Sequence, residues 1–560
     1  MLRLFEQHRI RPQKELEGIW KFVKEDGTEY DLPVPGCWEQ HPDLLTYRGK
    51  GTFYKKVYVR AQCNLRLEFK GVSHTADVFF DDVFVVHHYN AFTPFSGIVR
   101  DVAPGEHTIK VQVDNTFGEH SALHVPNDYY TYGGIIRPAA MEELGEVYVK
   151  NVHFLPYRKG DRWAAKMEAW VENLGTEKRQ IEVTSQLTGI VTKKTIEVEG
   201  GTTVTIAWEQ DYPQAESWSP QSPRVYYWEI VLCDETGIPV DDYIDRVGFR
   251  EVSVRRARMY LNGEPVFLKG FNRHEDYGAV GSAIPLQLMV QDMELMREVG
   301  SNAVRTCHYP NDERFLDLCD ERGMLVWEEN HARGFGLERM QNPNFERQCA
   351  DCIHEMITSH FNHPSIVIWG ILNECASETP EGRAIYQKQY EQIKGLDTSR
   401  PTTSATCRHF TDICLDLPDI VSFNMYSGWY QDISVLERHN QEMDWISRTG
   451  GAGKPVIVSE FGAGAIYGFR DRGRCKWSEE RQADVIQENL EVYKEDERLT
   501  GVFIWQFADC KVTEEEWFSA RPRCYNNKGV VDEYRRPKEA FDVVKKIFPT
   551  MGVEKLAQIR

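Results

Sequence analysis

The sequence predicts a multidomain protein of the β plus α/β type, in which two β-sandwiches precede a C-terminal (β/α)8 TIM barrel. Residues 1–252 read as strands that alternate apolar and polar residues between turn residues. From residue 253 the pattern of apolar residues changes to short apolar runs separated by segments with helical periodicity. At 560 residues the chain is too long for one core and suits two to four domains.

Residues 1–148 are predicted to form the first sandwich. Four segments carry the clearest alternation: GTFYKKVYV (51–59), LRLEFKGV (65–72), ADVFFDDVFVVHH (76–88) and HTIKVQVDN (107–115). Alternation with period two places apolar side chains on one face of a sheet and polar side chains on the other. Half-exposed strands of this kind are typical of a β-sandwich.

Residues 149–252 are predicted to form a second, immunoglobulin-like sandwich. The strand-like segments are WAAKMEAWVENLG, RQIEVTSQLTG, TTVTIAWEQ and RVYYWEIVLCD. The region has about 100 residues, which is the usual length of an immunoglobulin-like domain.

Residues 253–560 are predicted to form the barrel, because eight short apolar runs occur there. They are PVFLKGFNRH, SNAVRTCHY, MLVWEENH, SIVIWGILNE, PTTSATC, DIVSFNMYS, PVIVSEFGA and GVFIWQFAD. Most are separated by helix-like segments such as LQLMVQDMELMREVG and ERQADVIQENLEVYKED. Eight buried strands with intervening helices specify a (β/α)8 barrel.

The barrel prediction locates a functional site, since active sites of this fold lie at the carboxyl ends of the strands. In this chain those ends are polar. They carry Asn272, Arg273, His274, Glu275, Asp276, His308, Glu328, Glu329, Asn373, Glu374, Asn424, Tyr426, Glu460, Trp505 and Asp509.

Two carboxylates in this set suit glycoside hydrolysis. Glu374 follows the fourth run (IVIWGILNE) and Glu460 ends the seventh (PVIVSEF), so both face one barrel mouth. In a retaining enzyme one carboxyl group acts as acid and base and the other as nucleophile, about 5–5.5 Å apart. The acid needs a raised pKa, and the nucleophile stays ionised. The alternative is that each is a strand-end acid paired with Arg or Lys.

The sequence resembles glycoside hydrolase family 2, and within it the β-glucuronidase-like subgroup, over nearly its whole length. The motifs LEGIWKF, VPGCWEQ, AFTPF and YGGIIRP resemble the family's N-terminal jelly-roll domain. The motifs GFNRHED, RTCHYP, HPSIVIWGILNE, SFNMYSGWY, VSEFG and IWQFAD resemble its barrel.

The resemblance implies roles for the strand-end residues. Glu374 would be the general acid/base and Glu460 the nucleophile of a covalent glycosyl-enzyme. Asn373 would hydrogen-bond the sugar 2-hydroxyl. The sugar would be walled and oriented by His308, Tyr426, Trp505 and the Arg273–His274 pair. No metal or organic cofactor is required by this mechanism.

The resemblance also implies an acidic sugar. In β-glucuronidases an Asn-x-Lys element in a loop after the eighth strand grips the sugar carboxylate, and Asn526 and Lys528 match it here. Lys supplies a point charge with three donors and Asn an amide donor. Tyr430 would add a phenol donor, and Asp128 would reach the distal hydroxyls from the first domain. Family members commonly assemble as dimers or tetramers, so a homo-oligomer is expected.

The arginines around the sugar depart from the family pattern. Arg333 (NHARGFG) stands where well-known glucuronidases look small or apolar, and Pro522 replaces an arginine but is flanked by Arg521 and Arg523. Galacturonate and glucuronate differ only at O4, which is axial in galacturonate and equatorial in glucuronate. An additional guanidinium group at this place would favour the axial epimer or shift the position of the sugar carboxylate. The predicted activity is therefore a β-galacturonidase or a dual galacturonidase/glucuronidase, with a strict β-glucuronidase as the alternative. The alternative for Arg333 is an ion pair with Glu328 or Glu329, in which its side chain would face away from the site.

A further departure lies between Gly336 and the next helix, where only a short link (LERMQNPNFERQ) occurs. Some glucuronidases carry a long loop here that covers the leaving group. A short link predicts a more open site, tolerant of larger leaving groups or glycan ends.

The composition of the chain limits which binding partners and which cellular location are expected. The net charge of −20 argues against nucleic acid or an anionic membrane as a partner, so an acidic substrate needs a local positive pocket. The N-terminus has no apolar signal-peptide core, and the 13 scattered cysteines suit a reducing compartment, so a cytoplasmic location is expected. Two other functions are possible from the sequence. One is a β-galactosidase or β-mannosidase, and the other is a non-catalytic carbohydrate-binding protein.

Overall fold

The computed structural model describes residues 1–552, so residues 553–560 of the predicted barrel domain lie outside the described residues. The predicted fold class is confirmed: antiparallel sheets occupy the N-terminal part, and a closed parallel barrel follows. No helix in the described part of the chain has the length and apolar character needed to cross a bilayer.

The first sandwich consists of two antiparallel sheets and a short strand pair. The six-stranded sheet has the order Glu29–Val34, Gly18–Lys24, Lys50–Val59, Gly105–Asp114, Thr75–Phe80 and Val83–Tyr89. The four-stranded sheet has the order Gln13–Glu15, Ala139–Leu144, Cys63–Phe69 and Phe95–Val102, and Val72–Ser73 pairs with Gly134–Ile135. The alternating residues Phe22 and Val111 of one sheet pack in one core with Leu67 and Phe69 of the other.

The second sandwich has three strands facing four. The three-stranded sheet has the order Val147–Lys159, Arg162–Asn173 and Thr203–Tyr212. The four-stranded sheet has the order Ile190–Val198, Arg179–Leu187, Tyr226–Cys233 and Pro239–Val247. Trp163 and Met167 from the first sheet share a buried core with Val183 and Ile230 from the second. The first strand of this sandwich crosses the predicted boundary between residues 148 and 149.

Eight parallel strands close the barrel. In order they are Leu268–Asn272, Ala303–Thr306, Leu325–Glu329, Ile366–Ile371, Thr402–Thr406, Val421–Asn424, Val456–Phe461 and Leu499–Ile504. The first seven lie inside the predicted runs, and the eighth begins two residues before its run. Leu268, Trp327, Ile457 and Phe503 share a buried apolar cluster, which leaves polar side chains for the carboxyl ends.

Helices and short strands complete this part. The helices are Leu286–Glu298, Glu313–Arg322, Leu337–Met340, Phe345–His360, Pro380–Leu396, Val435–Ile446, Glu479–Glu495 and Glu539–Ile547. The sheet Val252–Arg255, Arg258–Leu261 and Glu264–Pro265 precedes the barrel, and Cys510–Lys511 pairs with Tyr525–Asn526 after the eighth strand. The 13 cysteines are all free thiols.

Two loop segments meet above the barrel mouth. Residues 115–133 extend from the first sandwich, and residues 505–538 follow the eighth strand. Asp128 of the first segment accepts two hydrogen bonds from Arg521 of the second, at 3.0 and 2.5 Å. The site is therefore built from the barrel and from the N-terminal sandwich together.

Candidate active site

A cavity of about 340 Å³ lies at the carboxyl ends of the barrel strands. Among the residues predicted for the site, those that line it are Asp128, Arg333, Glu374, Tyr426, Tyr430, Glu460, Trp505 and Lys528. Asn373, His308, His274 and Asn526 do not line it but lie buried behind these residues.

Glu460 is held at the floor of the cavity by two donors. The guanidinium of Arg305 donates from Nη1 to Oε1 over 3.0 Å, and the Tyr426 hydroxyl donates to Oε2 over 2.7 Å. Both carboxyl oxygens therefore accept a hydrogen bond, as an ionised carboxylate does. The side chain of Glu460 is only 4% exposed.

Glu374 lies three residues beyond the fourth barrel strand, on the more open side of the cavity. Its backbone φ of 54° is in the left-handed region, which is unusual for a residue other than glycine and is found at functional sites. Asn424 donates from Nδ2 to its Oε1 over 2.9 Å, and Arg333 Nη2 lies 3.6 Å from its Oε2. The Glu374 side chain is 17% exposed.

Glu460, the predicted nucleophile, has a raised pKa, whereas the sequence analysis expected a raised pKa for the acid. Burial and the charge of Glu374 raise the pKa of Glu460 to about 7, against the opposing effects of Arg305 and Tyr426. The physical reason is that the Glu460 side chain is nearly inaccessible to water, which disfavours its charged form.

Asn373 and His308 are oriented by the same arginine network. Arg305 Nη2 donates to Asn373 Oδ1 over 2.9 Å, which fixes the amide so that Nδ2 is buried without a partner in the described structure. His308 Nδ1 lies 2.8 Å from Glu329 Oε1 and donates to it, so its Nε2 carries the lone pair. That Nε2 lies 4.0 Å from Glu460 Oε1. Burial and the charge of Arg305 hold the pKa of His308 well below its usual range.

His274 and Trp505 form an aromatic wall with His308. Trp505 stacks on the His308 ring with centroids 5.1 Å apart, and His274 meets Trp505 edge-on at 5.4 Å. His274 Nδ1 pairs with the Tyr309 hydroxyl at 3.1 Å, and burial lowers the pKa of His274 to about 3. His274 thus supports the wall and does not face the cavity.

The far end of the cavity is cationic. Lys528 is 1% exposed and donates from Nζ to the Tyr430 hydroxyl over 2.6 Å, and no carboxylate of the described residues lies within 4 Å of it. Burial and the charge of Arg521 lower the pKa of Lys528. Arg521 Nη1 also donates to the Tyr430 hydroxyl, over 3.1 Å. The hydroxyl therefore accepts from both cations and keeps its own proton free to donate.

The positive charges of Lys528 and Arg521 also change the pKa of Tyr430. Burial alone would raise the pKa of Tyr430, but Lys528 and Arg521 outweigh it and the pKa is lowered. Two neighbouring cations that repel each other gain from an anion placed between them.

Asp128 lies between Arg521 and Arg333 at the cationic end of the cavity. Besides Arg521, it accepts from Asn526 Nδ2 over 3.0 Å, and Arg333 Nη2 lies 3.9 Å away. Burial would raise the pKa of Asp128, but Arg521 and Arg333 outweigh it and hold the pKa below its usual value. The Asn526 amide is thus engaged by Asp128, not turned to the cavity as predicted.

Arg333 points into the cavity. Its Nη1 donates to Asn127 Oδ1 over 3.2 Å, and its Nη2 lies between Asp128 and Glu374. The alternative partners Glu328 and Glu329 are bound elsewhere, to His360 and to Arg305. Arg333 therefore faces the site.

Comparisons with known proteins agree with this architecture. The family model described as glycosyl hydrolases family 2, TIM barrel domain, matches residues 252–553, and a second model for glycosyl hydrolases family 2 matches residues 147–250. The chain belongs to glycosyl hydrolase family 2.

Three relatives of this family 2 glycoside hydrolase span most of its length. A β-galacturonidase from Eisenbergiella tayi, solved bound to galacturonate, is 48% identical, with a TM-score of 0.96 over 99% of this chain and 100% of that one. A β-glucuronidase from Paenibacillus borealis is 26% identical over 97% of this chain and 98% of its own. β-Glucuronidase 2 from Bacteroides uniformis, covalently bound to cyclophellitol-6-carboxylate aziridine, is 25% identical, with a TM-score of 0.86 over 96% of this chain and 69% of that one.

Two residues central to the geometry of this glycoside hydrolase were missed as site candidates. Arg305 contacts Glu460, Glu329, Asn373 and Asn272, and its guanidinium lies 4.5 Å from the centre of the Trp327 ring. An arginine within a predicted buried strand needs an acidic or polar partner, and this need could have identified Arg305 from the sequence. Arg521 was noted only as a neighbour of Pro522, in a loop without periodicity.

Two buried clusters of the hydrolase bring metal-donor atoms within 4.8 Å of one another: His274, Cys307 and His308, and Asp317, Asp320 and His363. The second is already occupied by ion pairs, because Arg3 donates to Asp317 and His363 pairs with Asp320. A carboxylate pair hydrolyses glycosides without a metal, so neither cluster is needed for the chemistry.

Proposed function

We propose that the protein is a retaining exo-β-hexuronidase that releases terminal β-D-uronic acids by double displacement. The observation that carries the proposal is Lys528, a buried cation facing the cavity without a carboxylate partner in the described structure. A buried lysine in this state lacks compensation for its lost hydration. A sugar carboxylate beside Lys528, Arg521 and the Tyr430 hydroxyl would supply that compensation.

The carboxyl pair supplies the chemistry. In the first step the Glu460 carboxylate attacks the anomeric carbon, and Glu374 gives its proton to the departing glycosidic oxygen. In the second step Glu374 takes a proton from water, whose oxygen attacks the same carbon and releases Glu460. Two inversions at one carbon give net retention.

The contacts of the pair fit these roles. Arg305 and Tyr426 donate to both oxygens of Glu460 and favour its ionised form when substrate excludes water. Glu374 lies on the open side, where a leaving group would cover it and receive its proton. The buried Asn373 amide N–H is available to the sugar 2-hydroxyl. The covalent complex of the Bacteroides uniformis relative also supports a nucleophilic mechanism.

The test of the acidic substrate is Lys528→Ala. We expect kcat/KM for p-nitrophenyl β-D-galacturonide to fall at least about tenfold, the value of one lost charge-assisted hydrogen bond. Turnover of p-nitrophenyl β-D-galactoside should not fall in parallel, because that sugar has no carboxylate. Lys476→Ala, which removes an exposed lysine near Tyr430, is the matched control. Unchanged uronide turnover in Lys528→Ala would remove the carboxylate clamp and favour a neutral-sugar glycosidase.

We further propose that galacturonides are preferred, or accepted together with glucuronides. The support is the 48% identity to the β-galacturonidase over nearly the whole chain, and Arg333, which points into the cavity between Asp128 and Glu374. A guanidinium fork at this edge would donate to an axial O4. The 26% identical β-glucuronidases keep a strict β-glucuronidase as the alternative.

The epimer ratio tests the role of Arg333. We expect wild type to hydrolyse p-nitrophenyl β-D-galacturonide at least as well as the glucuronide, and Arg333→Ala to lose kcat/KM mainly on the galacturonide. The same assay with Arg347→Ala, which removes an exposed arginine that lines neither cavity, controls for the loss of an arginine. A strong glucuronide preference that the Arg333 variant leaves unchanged would make the assignment wrong.

A cytoplasmic location, a homo-oligomeric state and the roles of the individual site residues stay predictions. Size-exclusion chromatography with light scattering would measure the assembly directly.

A further inference from the structure

We infer that a second cavity beyond Glu374 is a leaving-group site for a pyranose ring, which stacks on Trp517. This rests on the proposed function and deepens it, since it makes the natural substrates β-uronides of other sugars. The cavity measures about 420 Å³ and shares Arg333, Glu374, Cys407 and Trp517 with the first one. Because Glu374 is the proposed acid, what lies beyond it is the departing group.

Trp517 forms the aromatic wall of this site. Its side chain is 54% exposed, and it lies in the short 3-10 turn Glu516–Ala520 of the loop after the eighth strand. The Arg521 guanidinium lies 5.2 Å from the ring centre, and Phe518 packs beside it with ring centroids 4.3 Å apart. Arg521 is itself bound to Asp128, so the indole is tied to the sugar pocket. An exposed indole with a fixed position provides a flat apolar face for the C–H groups of a sugar ring.

Three further lining residues are charged, which favours a sugar over a steroid or a simple aryl group as the occupant of the cavity. Glu338, Arg339 and Arg408 line the cavity together with Trp517. Arg408 Nε lies 3.2 Å from Glu378 Oε2. Hydroxyl groups of a sugar can donate hydrogen bonds to such side chains and accept them in place of water, which an apolar leaving group cannot do.

Two glycines of the lining leave open space beside them. A Cβ atom placed on Gly334 or Gly336 would meet no atom within 4 Å. Gly336 has φ of −64°, which any residue adopts, so a large side chain can be introduced there without backbone strain. Gly334 has φ of 73° and does not offer this option.

The test uses two variants of the full-length protein and two substrates. Trp517→Ala removes the aromatic wall, and Gly336→Phe places a large side chain in the lining of the cavity. One substrate is a disaccharide with β-D-galacturonate linked to a hexose, and the other is methyl β-D-galacturonide, which has no ring beyond Glu374. We expect both variants to lose about tenfold in kcat/KM on the disaccharide relative to the methyl glycoside. Gly336→Phe, whose residue does not line the first cavity, should leave the methyl glycoside activity nearly unchanged. Trp517→Tyr should retain most of the disaccharide activity.

Equal effects on both substrates, or none on either, would overturn the inference. A larger loss on 4-methylumbelliferyl β-D-galacturonide than on the disaccharide would also overturn it, because the wall would then serve flat aryl groups. If wild type hydrolyses aryl uronides while the variants leave the substrate ratio unchanged, only this inference fails. If wild type hydrolyses no uronide at all, the proposed function itself fails.

Discussion

At the scale of single residues, the unequal burial of Glu374 and Glu460 shapes the expected pH profile. The proposed reaction needs one proton on the pair. Burial and the charge of Glu374 raise the pKa of Glu460 to about 7, which means that the last proton leaves the pair near that pH. A raised pKa keeps a proton in place below it, so the singly protonated pair is lost as the pH rises.

We therefore expect kcat/KM of wild type to fall as the pH rises through about 7. Glu374→Gln should lack this alkaline fall with p-nitrophenyl β-D-galacturonide, because p-nitrophenolate leaves without a proton. The variant should also be rescued by azide, which attacks the glycosyl-enzyme without a general base. Glu338→Gln, which removes a charge at the mouth, should keep the fall. An identical alkaline limb in Glu374→Gln would contradict the assignment of the acid.

Individual side chains were predictable where a strand end fixes them. Glu374, Glu460 and Tyr426 line the cavity because the carboxyl ends of neighbouring parallel strands meet there. Asn526 turned out differently, since its amide is bound by Asp128, 398 positions earlier in the chain. A local pattern predicts where such a residue lies, but not which of several distant partners it selects.

At the scale of elements, the second barrel strand, Ala303–Thr306, contributes the charge that organises the floor of the site. Arg305 lies within this strand, is fully buried and contacts carboxylates from the third and seventh strands. Removing one partner of a buried ion pair leaves the other charge without compensation.

We expect Arg305→Met to lower the free energy of unfolding by about 3–5 kcal/mol and to abolish most activity. Urea denaturation monitored by tryptophan fluorescence measures the first and a p-nitrophenyl assay the second. The control is Arg347→Met, because Arg347 and Asp351 form an exposed helical pair with little effect on stability. A fully stable Arg305 variant would show that the network is not needed for the fold.

The barrel strands were largely predictable, and the loops above them were not. Buried parallel strands need continuous apolar runs, which is why SIVIWGILNE and PVIVSEFGA were recognisable. The segment 505–538 contains two short 3-10 turns and one two-residue strand pair, which have no periodic signal. Arg521 and Trp517 therefore acquired roles only through their three-dimensional contacts.

At the scale of the whole molecule, the site depends on two domains and opposes the overall charge. The net charge is −20, yet Lys528, Arg521 and Arg333 converge at one end of the cavity. Asp128 from the N-terminal sandwich holds two of these cations in place. The order of three domains was predictable from the change in hydrophobic rhythm, but this contact between the first domain and the barrel was implied only by family resemblance.

The central claim, a β-uronidase with Glu460 as nucleophile, is tested most directly by covalent trapping. A 2-deoxy-2-fluoro-β-D-galacturonosyl fluoride loses fluoride without acid assistance and leaves a slowly hydrolysed ester on the nucleophile. Mass spectrometry of the labelled protein and its peptides should show one uronosyl group, attached to Glu460, and slower labelling of Lys528→Ala. An adduct on Glu374, or hydrolysis of uronides with no adduct on any residue, would contradict the account.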